Sequence, residues 1–496
     1  MISPEDMETY GYGHEQIFLG LEQRIMDDIA RRIRQTGVIT RTADFQLNQI
    51  KRLGYHDADI KKMIQETLSA SQAYVDNLYA KALKTDYIDN KKLYQGLGKE
   101  FIPFEKNTLL QNILKTAKLK TNEEMKNLTG SMGFVINVGS GNKAVKLTDY
   151  LQSVLDQAVI DINAGAFDYN TILTSTVKQM TNSGVRWIDY ESGYHNRITV
   201  AARRAVMKSI SDMAATAAED TAEKLGIDTF EVSAHANARP EHASWQGKVY
   251  TKKELVSVCG LGTITGLHGA NCYHDYYPFV KGLSKRAYTD YQLKQLRNDE
   301  PKEYKGRSYT GYEAKQRMRQ LETNMRAQRE AIKLLKDNDA DDLKILEMQV
   351  WYRQTMKEYV DFADKMNMKQ QKERIFMDGN GKQTVTIKRM DQYFRMKPFM
   401  KAQGIVISDS GLVSTKISAH FVDQAINRKI DVDSIVNALK KPLLIDKIKV
   451  DNNGWSQKII GEKVSVVINP GSGNLITVYQ TSSKKAKKLK KEADEK

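Results

Sequence analysis

The chain has 496 residues, a length that predicts about three domains at roughly 150 residues each. Hydrophobic residues make up 41% and charged residues 28% of the sequence, which excludes wholesale disorder and predicts real cores beneath a highly charged surface. No stretch reaches the roughly 18 consecutive apolar residues that span a bilayer, and the acidic start is unlike a secretory signal. We therefore expect a soluble protein with no membrane partner.

Cysteine usage and charge narrow the class further. Cys259 and Cys272 are too few for a disulfide framework and fit a reducing compartment. The formal net charge of +15 favours a polyanionic partner, and residues 401–496 alone carry 17 basic and 10 acidic side chains. The Lys-rich segment 483–496 is interpreted as a disordered, solvated tail, with auxiliary nucleic-acid contact as the alternative.

Hydrophobic periodicity predicts a helical N-terminal region. Leu21, Ile25, Ile29 and Ile33 recur on one helical face, Gly37 then offers a stop, and residues 40–44 offer new caps. The glycine-rich stretch 130–142 lacks the register of a phosphate-binding loop and is interpreted as a flexible connection. Residues 311–374 return to near-heptad spacing, which predicts a long helix or a helical hairpin, and 378–383 is a predicted linker. The heptad positions are Met318, Leu321, Met325, Ile332 and Leu335.

The pattern after residue 400 changes to a compact α+β alternation. Residues 418–429 predict a helix with Phe421, Val422, Ala425 and Ile426 on its apolar side. Asp431 is placed to cap a second helix at 432–439. Short strands are predicted around 443–450, 455–460, 463–468 and 474–480.

These patterns predict a multidomain fold. A mostly α-helical body with a small turn-rich His/Cys block occupies 1–335, and a helical spacer and linker covers 336–400. An α+β domain with an antiparallel sheet spans 401–482, before the tail at 483–496.

The turn-rich block between 230 and 282 holds both cysteines and half of the histidines. His268, Cys272 and His274, with His242 or His235 upstream, offer four zinc ligands, although the gaps match no standard zinc motif. The alternative stays open that these side chains bond to backbone groups in a compact core. The sequence alone thus leaves a metal site undecided, and we expect no other cofactor.

This block resembles the minor capsid proteins of tailed phages, type 2 family. The resemblance is carried by VSAHANARPEHASWQGKVY at 232–250, GLHGANCYH at 266–274 and 277–279, with weaker similarity at 37–43, 53–55 and 188–193. It covers roughly residues 5–335. It implies a structural head-morphogenesis protein that associates with portal and capsid proteins inside the virion, and it brings no catalytic residue. We therefore expect the chain in the capsid interior, and in the host cytoplasm during assembly or after delivery.

Five residues of the α+β region suit phosphodiester chemistry. His420 can exchange a proton near neutral pH, and Arg428 follows it on the same helical arc. Thr477 and Tyr479 share one face of the last strand, and Lys458 on a preceding strand adds a cation. Cleavage of RNA through its 2'-hydroxyl needs these groups and no metal. The alternative is that His420 and Arg428 are solvated surface residues.

Residues 410–482 resemble the barnase/EndoU/colicin/RelE-like nuclease domains carried by phages. The similarity lies in 417–428, 435–443, 455–461 and 466–479. It implies that His420 and Arg428 are in an active site, with Thr477 and Tyr479 contributed by the strand. The expected substrate is RNA, with transfer RNA as one candidate. The competing hypothesis is a purely structural virion protein whose basic C-terminal domain binds packaged double-stranded DNA or a portal partner.

Overall fold

A computed structural model gives the fold and describes residues 2–36, 44–139, 141–163, 169–297, 300–407, 410–451 and 454–494. The predicted helix stop at Gly37 and most of the caps at 40–44 lie outside these residues, as does the similarity at 37–43. The helices are α1 Pro4–Thr36, α2 Asp44–Asp89, α3 Lys91–Gly96, α4 Thr108–Gly130, α5 Leu147–Asn163, α6 Tyr169–Ser183, α7 Ile198–Leu225, α8 Pro240–Trp245, α9 Lys252–Ser257, α10 Asp290–Arg297, α11 Gly311–Asp337, α12 Asp342–Met366, α13 Lys372–Ile375, α14 Ile387–Met396, α15 Ala419–Asn427, α16 Val432–Lys440 and α17 Ser483–Asp494.

Short strands complete the described structure, together with two 3-10 helices at Phe104–Lys106 and Lys397–Ala402. The strands are β1 Met132–Asn137, β2 Asn142–Lys146, β3 Arg186–Ile188, β4 His195–Arg197, β5 Thr229–Val232, β6 Val249–Thr251, β7 Tyr276–Pro278, β8 Lys302–Tyr304, β9 Arg307–Tyr309, β10 Lys416–Ile417, β11 Leu444–Ile445, β12 Lys449–Asp451, β13 Gly454–Ile460, β14 Val464–Ile468 and β15 Asn474–Gln480.

The chain forms two compact units. The body unit comprises Met1–Asp156, Ser175–Asn338 and Gln354–Gln383, and the C-terminal unit comprises Gln157–Thr174, Asp339–Arg353 and Thr384–Lys496. The segment predicted as a spacer, 336–400, forms α12 to α14 and contributes to both units. The predicted fold class is confirmed: a mostly helical body with a turn-rich His/Cys block, helical segments after it, and an α+β domain at the C-terminus.

Four long helices, α1, α2, α4 and α7, form the main core of the body unit. Leu21, Ile25, Ile29 and Ile33 of α1 are fully buried, as their spacing predicts. The interpretation of 130–142 as a flexible connection is wrong, because β1 and β2 form a hairpin there. Phe134 is buried and packs on Tyr150, so strand-forming residues next to the glycines decide the local structure.

Buried ion pairs, as well as apolar contacts, fasten α11 within the body unit. The heptad positions of α11 are buried as predicted. In addition, Arg197 lies 2.8 Å from Glu22 and 3.2 Å from Glu330. Arg329 is 1% exposed and forms a two-pronged pair with Asp378, at 2.8 and 2.7 Å. Such pairs are costly to break, because removing one partner leaves the charge of the other buried and uncompensated.

His14 should make the body unit sensitive to acid. Its side chain is fully buried, its Nε2 lies 2.7 Å from Ser71 Oγ, and burial lowers its pKa to about 4. The unfolded chain therefore binds a proton below about pH 6.5, where folded His14 does not. We expect the free energy of unfolding to fall by about 3 kcal/mol between about pH 6.5 and pH 4 from this residue alone. Urea unfolding at several pH values, with His14→Gln as comparison, measures the effect; parallel pH profiles of the two proteins would exclude it.

The C-terminal unit packs helices on one sheet. The strand order is β10-β15-β14-β13-β11, with β12 paired to β13, and all neighbours are antiparallel except β10 and β15. Helices α15 and α16 and the four predicted strands lie within a few residues of their expected positions. Asp431 accepts a hydrogen bond from the Ser434 N–H at 2.7 Å, which confirms the predicted cap. Ile426, expected on the buried side of α15, is instead 40% exposed.

Two features of the C-terminal unit were not anticipated. Its core includes apolar residues from 343–350 and 385–399, before the predicted start of the α+β domain at residue 401. The prediction of a disordered tail is wrong over the described residues 483–494, which form α17. Ala486 is buried and Lys490 lies 2.7 Å from Glu462, so α17 is tied to the folded unit.

Candidate metal centre and candidate ribonuclease face

The candidate metal centre lies in the turn-rich block of the body unit. Pro240 opens α8 at a position where its missing N–H costs nothing, and His242 follows within the first turn. The loop at 258–275 is folded so tightly that a side chain on Gly266 would lie 2.0 Å from the Gly260 carbonyl oxygen. Because of this tight fold, the end of the loop, at His274, lies next to His242 of α8.

Three side chains converge where the loop meets α8. His242 Nδ1 lies 3.3 Å from His274 Nδ1, and Cys272 Sγ lies 3.6 Å from His274 Nδ1 and 3.9 Å from His242 Nδ1. All three residues are buried. Two imidazole nitrogens and one sulfur are therefore directed at a common point.

The far sides of both imidazole rings are fixed by oxygen acceptors. His242 Nε2 lies 2.7 Å from the Thr265 carbonyl oxygen, and His274 Nε2 lies 2.9 Å from Gln246 Oε1. Gln246 Oε1 also accepts the His235 backbone N–H at 3.0 Å, which identifies it as the amide oxygen. Both Nε2 atoms must therefore donate, and in the neutral rings both Nδ1 atoms carry lone pairs.

The other two predicted ligands have different partners. His268 Nε2 lies 2.9 Å from Asp275 Oδ1. His235 stacks on the His274 ring with centroids 4.5 Å apart, and its Nδ1 lies 2.9 Å from the Ala236 carbonyl oxygen. The structure thus brings His242, Cys272 and His274 together and leaves His235 and His268 beside them.

Sequence reasoning missed the outer partners Gln246 and Thr265. Gln246 lies within the motif at 232–250, but neither charge nor periodicity marks it as a partner of a histidine. Thr265 acts through its backbone carbonyl, so its side-chain identity carries no signal at all.

Burial keeps the side chains of His242, Cys272 and His274 uncharged when no ligand is bound to them. It lowers the pKa of His242, and it lowers the pKa of His274 well below the usual histidine value, with repulsion from the neighbouring histidines adding to the effect. Burial also raises the pKa of Cys272 to about 11. The site therefore presents neutral imidazoles and a protonated thiol.

A basic cavity of roughly 460 Å³ adjoins the centre within the body unit. His235 and His242 form part of its wall. Its cationic lining residues are Arg203, Arg204, Arg239, Lys315, Arg319, Arg326 and Arg374. Glu15 pairs with Arg203 and Arg326, whereas Arg204 and Arg239 bond to Asn271 and Ala270. Arg319 and Arg374 pair with Glu322, so four of these seven cations already have a carboxylate partner.

The predicted ribonuclease residues lie around β15 of the C-terminal unit. Arg428 follows α15 directly, and its Nη1 donates to the carbonyl oxygen of Val478 at 2.5 Å. Val478 stands between Thr477 and Tyr479 in the strand. Lys458 Nζ lies 4.4 Å from the centroid of the Tyr479 ring. Arg428 and Lys458 thus each contact β15, the strand that carries Thr477 and Tyr479.

Strand alternation separates the two faces of the sheet. Val478 is fully buried in the core that includes Phe421 and Ala425, so the helices cover that face. Thr477 and Tyr479 therefore point to the opposite face, where both are half-buried. We call this surface, with Lys458, the open sheet face.

His420 stands apart from this group. It is exposed in the first turn of α15. Within the described part of the chain, no hydrogen bond, ion pair or ring contact joins it to Arg428, Thr477 or Tyr479. It is two helical turns before Arg428 on the same side of α15, an arrangement that a bound substrate would have to bridge.

None of the described helices combines the length and apolar character that crossing a bilayer requires.

Comparison with known proteins gives one family. Residues 2–361 match the sequence profile of the family described as Phage minor capsid protein 2. The match covers more than half of the chain and ends before the sheet of the C-terminal unit. No curated protein and no solved structure gives a significant match.

Proposed function

The chain belongs to the phage minor capsid protein 2 family and so has a structural role in the virion, and from that premise we propose that it binds portal and capsid proteins inside the head and carries a ribonuclease in its C-terminal unit. The family assignment supports the first part, since the match covers the body unit almost entirely. The second part rests on the residues around β15.

One contact carries the ribonuclease proposal. The guanidinium of Arg428 is bonded to the Val478 carbonyl oxygen, between Thr477 and Tyr479 in the chain, so a cation is fixed at the strand that carries the two hydroxyl side chains. Lys458 adds a second cation against Tyr479. This combination suits a phosphate group, which is bound by positive charge and by hydroxyl donors.

Each residue then has a role in cleavage of RNA. His420 takes the proton of the 2'-hydroxyl, whose oxygen forms a bond to phosphorus. The bond to the 5'-oxygen breaks, and that oxygen takes a proton from water, while protonated His420 returns its proton to the solvent. Arg428 stabilises the negative phosphorane, while Thr477 and Tyr479 bind its oxygens. The products are a cyclic phosphate and a 5'-hydroxyl.

Binding without cleavage is the second candidate function, and α17 favours it. This helix presents Lys484, Lys485, Lys487, Lys488 and Lys491, and no acidic residue lies in its first turn. Such a surface contacts packaged double-stranded DNA through its phosphates, with an affinity that falls steeply as salt is raised. Salt-sensitive binding with intact nucleic acid would identify this function.

The two functions are separated by incubating the full-length protein with total RNA and with transfer RNA in EDTA. The chain should be used whole because the C-terminal core draws on residues 343–350. We expect cleavage with cyclic phosphate ends. Intact RNA at every protein concentration, pH and salt tested would contradict the ribonuclease and leave binding as the function of this unit.

A further inference from the structure

We propose that His242, Cys272 and His274 bind a zinc ion in the body unit. This inference is independent of the ribonuclease and goes beyond the role in the virion. It rests on three geometric features of the site: the spacing of the ligand atoms, the direction of their lone pairs, and the oxygen atoms behind the rings.

The spacing of the ligand atoms is that of a tetrahedral zinc site. With Zn–N distances of about 2.05 Å and a Zn–S distance of about 2.3 Å, tetrahedral angles separate two nitrogens by about 3.3 Å and a nitrogen from a sulfur by about 3.6 Å. The corresponding distances here are 3.3 Å between the nitrogens, and 3.6 and 3.9 Å to the sulfur. A zinc ion fits between them without moving the backbone.

The direction of the lone pairs calls for a cation. Because both Nε2 atoms donate to oxygen, the two Nδ1 lone pairs of His242 and His274 face each other at 3.3 Å. The Cys272 thiol has a single proton and can satisfy only one of them. A bound zinc ion accepts both lone pairs and the thiolate together, so that no buried acceptor is left unpaired.

The oxygens behind the rings are the usual supports of metal-binding histidines. A carbonyl or amide oxygen that accepts the second ring N–H fixes the tautomer and aims the other nitrogen at the metal. Thr265 and Gln246 supply one such oxygen to each ring. Mixed nitrogen and sulfur ligands favour zinc over magnesium or calcium, which prefer oxygen.

The ion would act as a clip between α8 and the loop at 258–275. That loop has no helix or strand of its own, so a metal bond at its end would add to the turn hydrogen bonds that fold it. The described residues offer three ligands at this point, and the fourth position is left to water or to an anion from the adjoining basic cavity.

Metal analysis of the full-length protein tests the proposal. The protein is produced in zinc-supplemented medium, dialysed against buffer without chelator, and assayed for zinc by mass spectrometry. We expect stoichiometric zinc. Exchange for cobalt should give the intense near-ultraviolet absorption of a cobalt–thiolate bond, which reports Cys272 directly.

Matched variants assign the ligands. Cys272→Ser should lose the cobalt–thiolate absorption, whereas Cys259→Ser, which changes the other buried cysteine, should keep it along with stoichiometric zinc. Gln246→Ala should weaken zinc affinity about 10- to 100-fold through the loss of its outer contact. If Cys272→Ser fails to fold, a chelator competition titration of the parent protein still measures whether it binds zinc and how tightly. A folded parent protein without zinc and without cobalt–thiolate absorption would overturn the proposal.

Discussion

Replacing His420 with alanine should slow RNA cleavage by the full-length protein by about 100- to 10,000-fold, the usual contribution of a general acid or base. His420 is exposed and has no partner among the described residues, so its removal should leave the fold unchanged. Initial rates on a defined oligonucleotide measure the loss.

Asn427→Ala is the matched control for this prediction. Asn427 is exposed on the same helix and is not proposed to contact substrate. It should cleave RNA at the parent rate, while Arg428→Ala should lose activity without a change in the pH profile. A His420→Ala protein that cleaves as fast as the parent would exclude His420 from the mechanism.

Replacing Arg329 with alanine should lower the free energy of unfolding of the body unit by about 3 to 5 kcal/mol. The guanidinium is 1% exposed and Asp378 is 3% exposed, so the variant leaves a carboxylate buried without its counter-charge. The Gly381 carbonyl oxygen loses a donor at the same time. Urea unfolding followed by circular dichroism measures the change.

Two controls separate the buried charge from a general loss of packing. The double variant Arg329→Met with Asp378→Leu should recover much of the stability, since both charges are removed together. Lys357→Met, which breaks an exposed pair with Asp361, should leave unfolding nearly unchanged. An Arg329→Ala protein as stable as the parent would show that this pair contributes nothing.

The helices of both units could be predicted because their signal is local. The four-residue spacing in α1 and the heptad spacing in α11 both correspond to buried faces. Strands β13, β14 and β15 correspond to predicted strands, since apolar runs there are separated by turn residues, whereas the strand predicted around 443–450 forms two, β11 and β12. The hairpin of β1 and β2 has a mixed signal in the sequence, because glycines, which favour loops, flank the strand-forming residues Phe134, Val135 and Ile136.

The candidate metal centre has only a partial signal in the sequence. Crowding of histidine and cysteine in one block is visible in the sequence, but the choice of His242 over His235 depends on how the loop returns to α8. His242 Nε2 bonds to the Thr265 carbonyl oxygen, whereas His235 Nδ1 bonds to the Ala236 carbonyl oxygen. Neither burial nor a backbone contact of this kind follows a fixed spacing in the sequence. For the same reason the contact of Arg428 with the Val478 carbonyl could not be predicted.

No sequence pattern indicates that the core of the C-terminal unit includes residues 343–350. Residues 343–350 lie within the same continuous helix, α12, whose later part belongs to the body unit. Periodicity shows that such a helix has a buried face, but it does not show which unit covers that face.

Quantitative mass spectrometry of purified phage particles tests the structural role most directly. We expect peptides from both the body unit and the C-terminal unit in mature particles, at a fixed ratio to the portal protein. Particles that lack the chain, while it is abundant in the lysate of the infected cells, would contradict it.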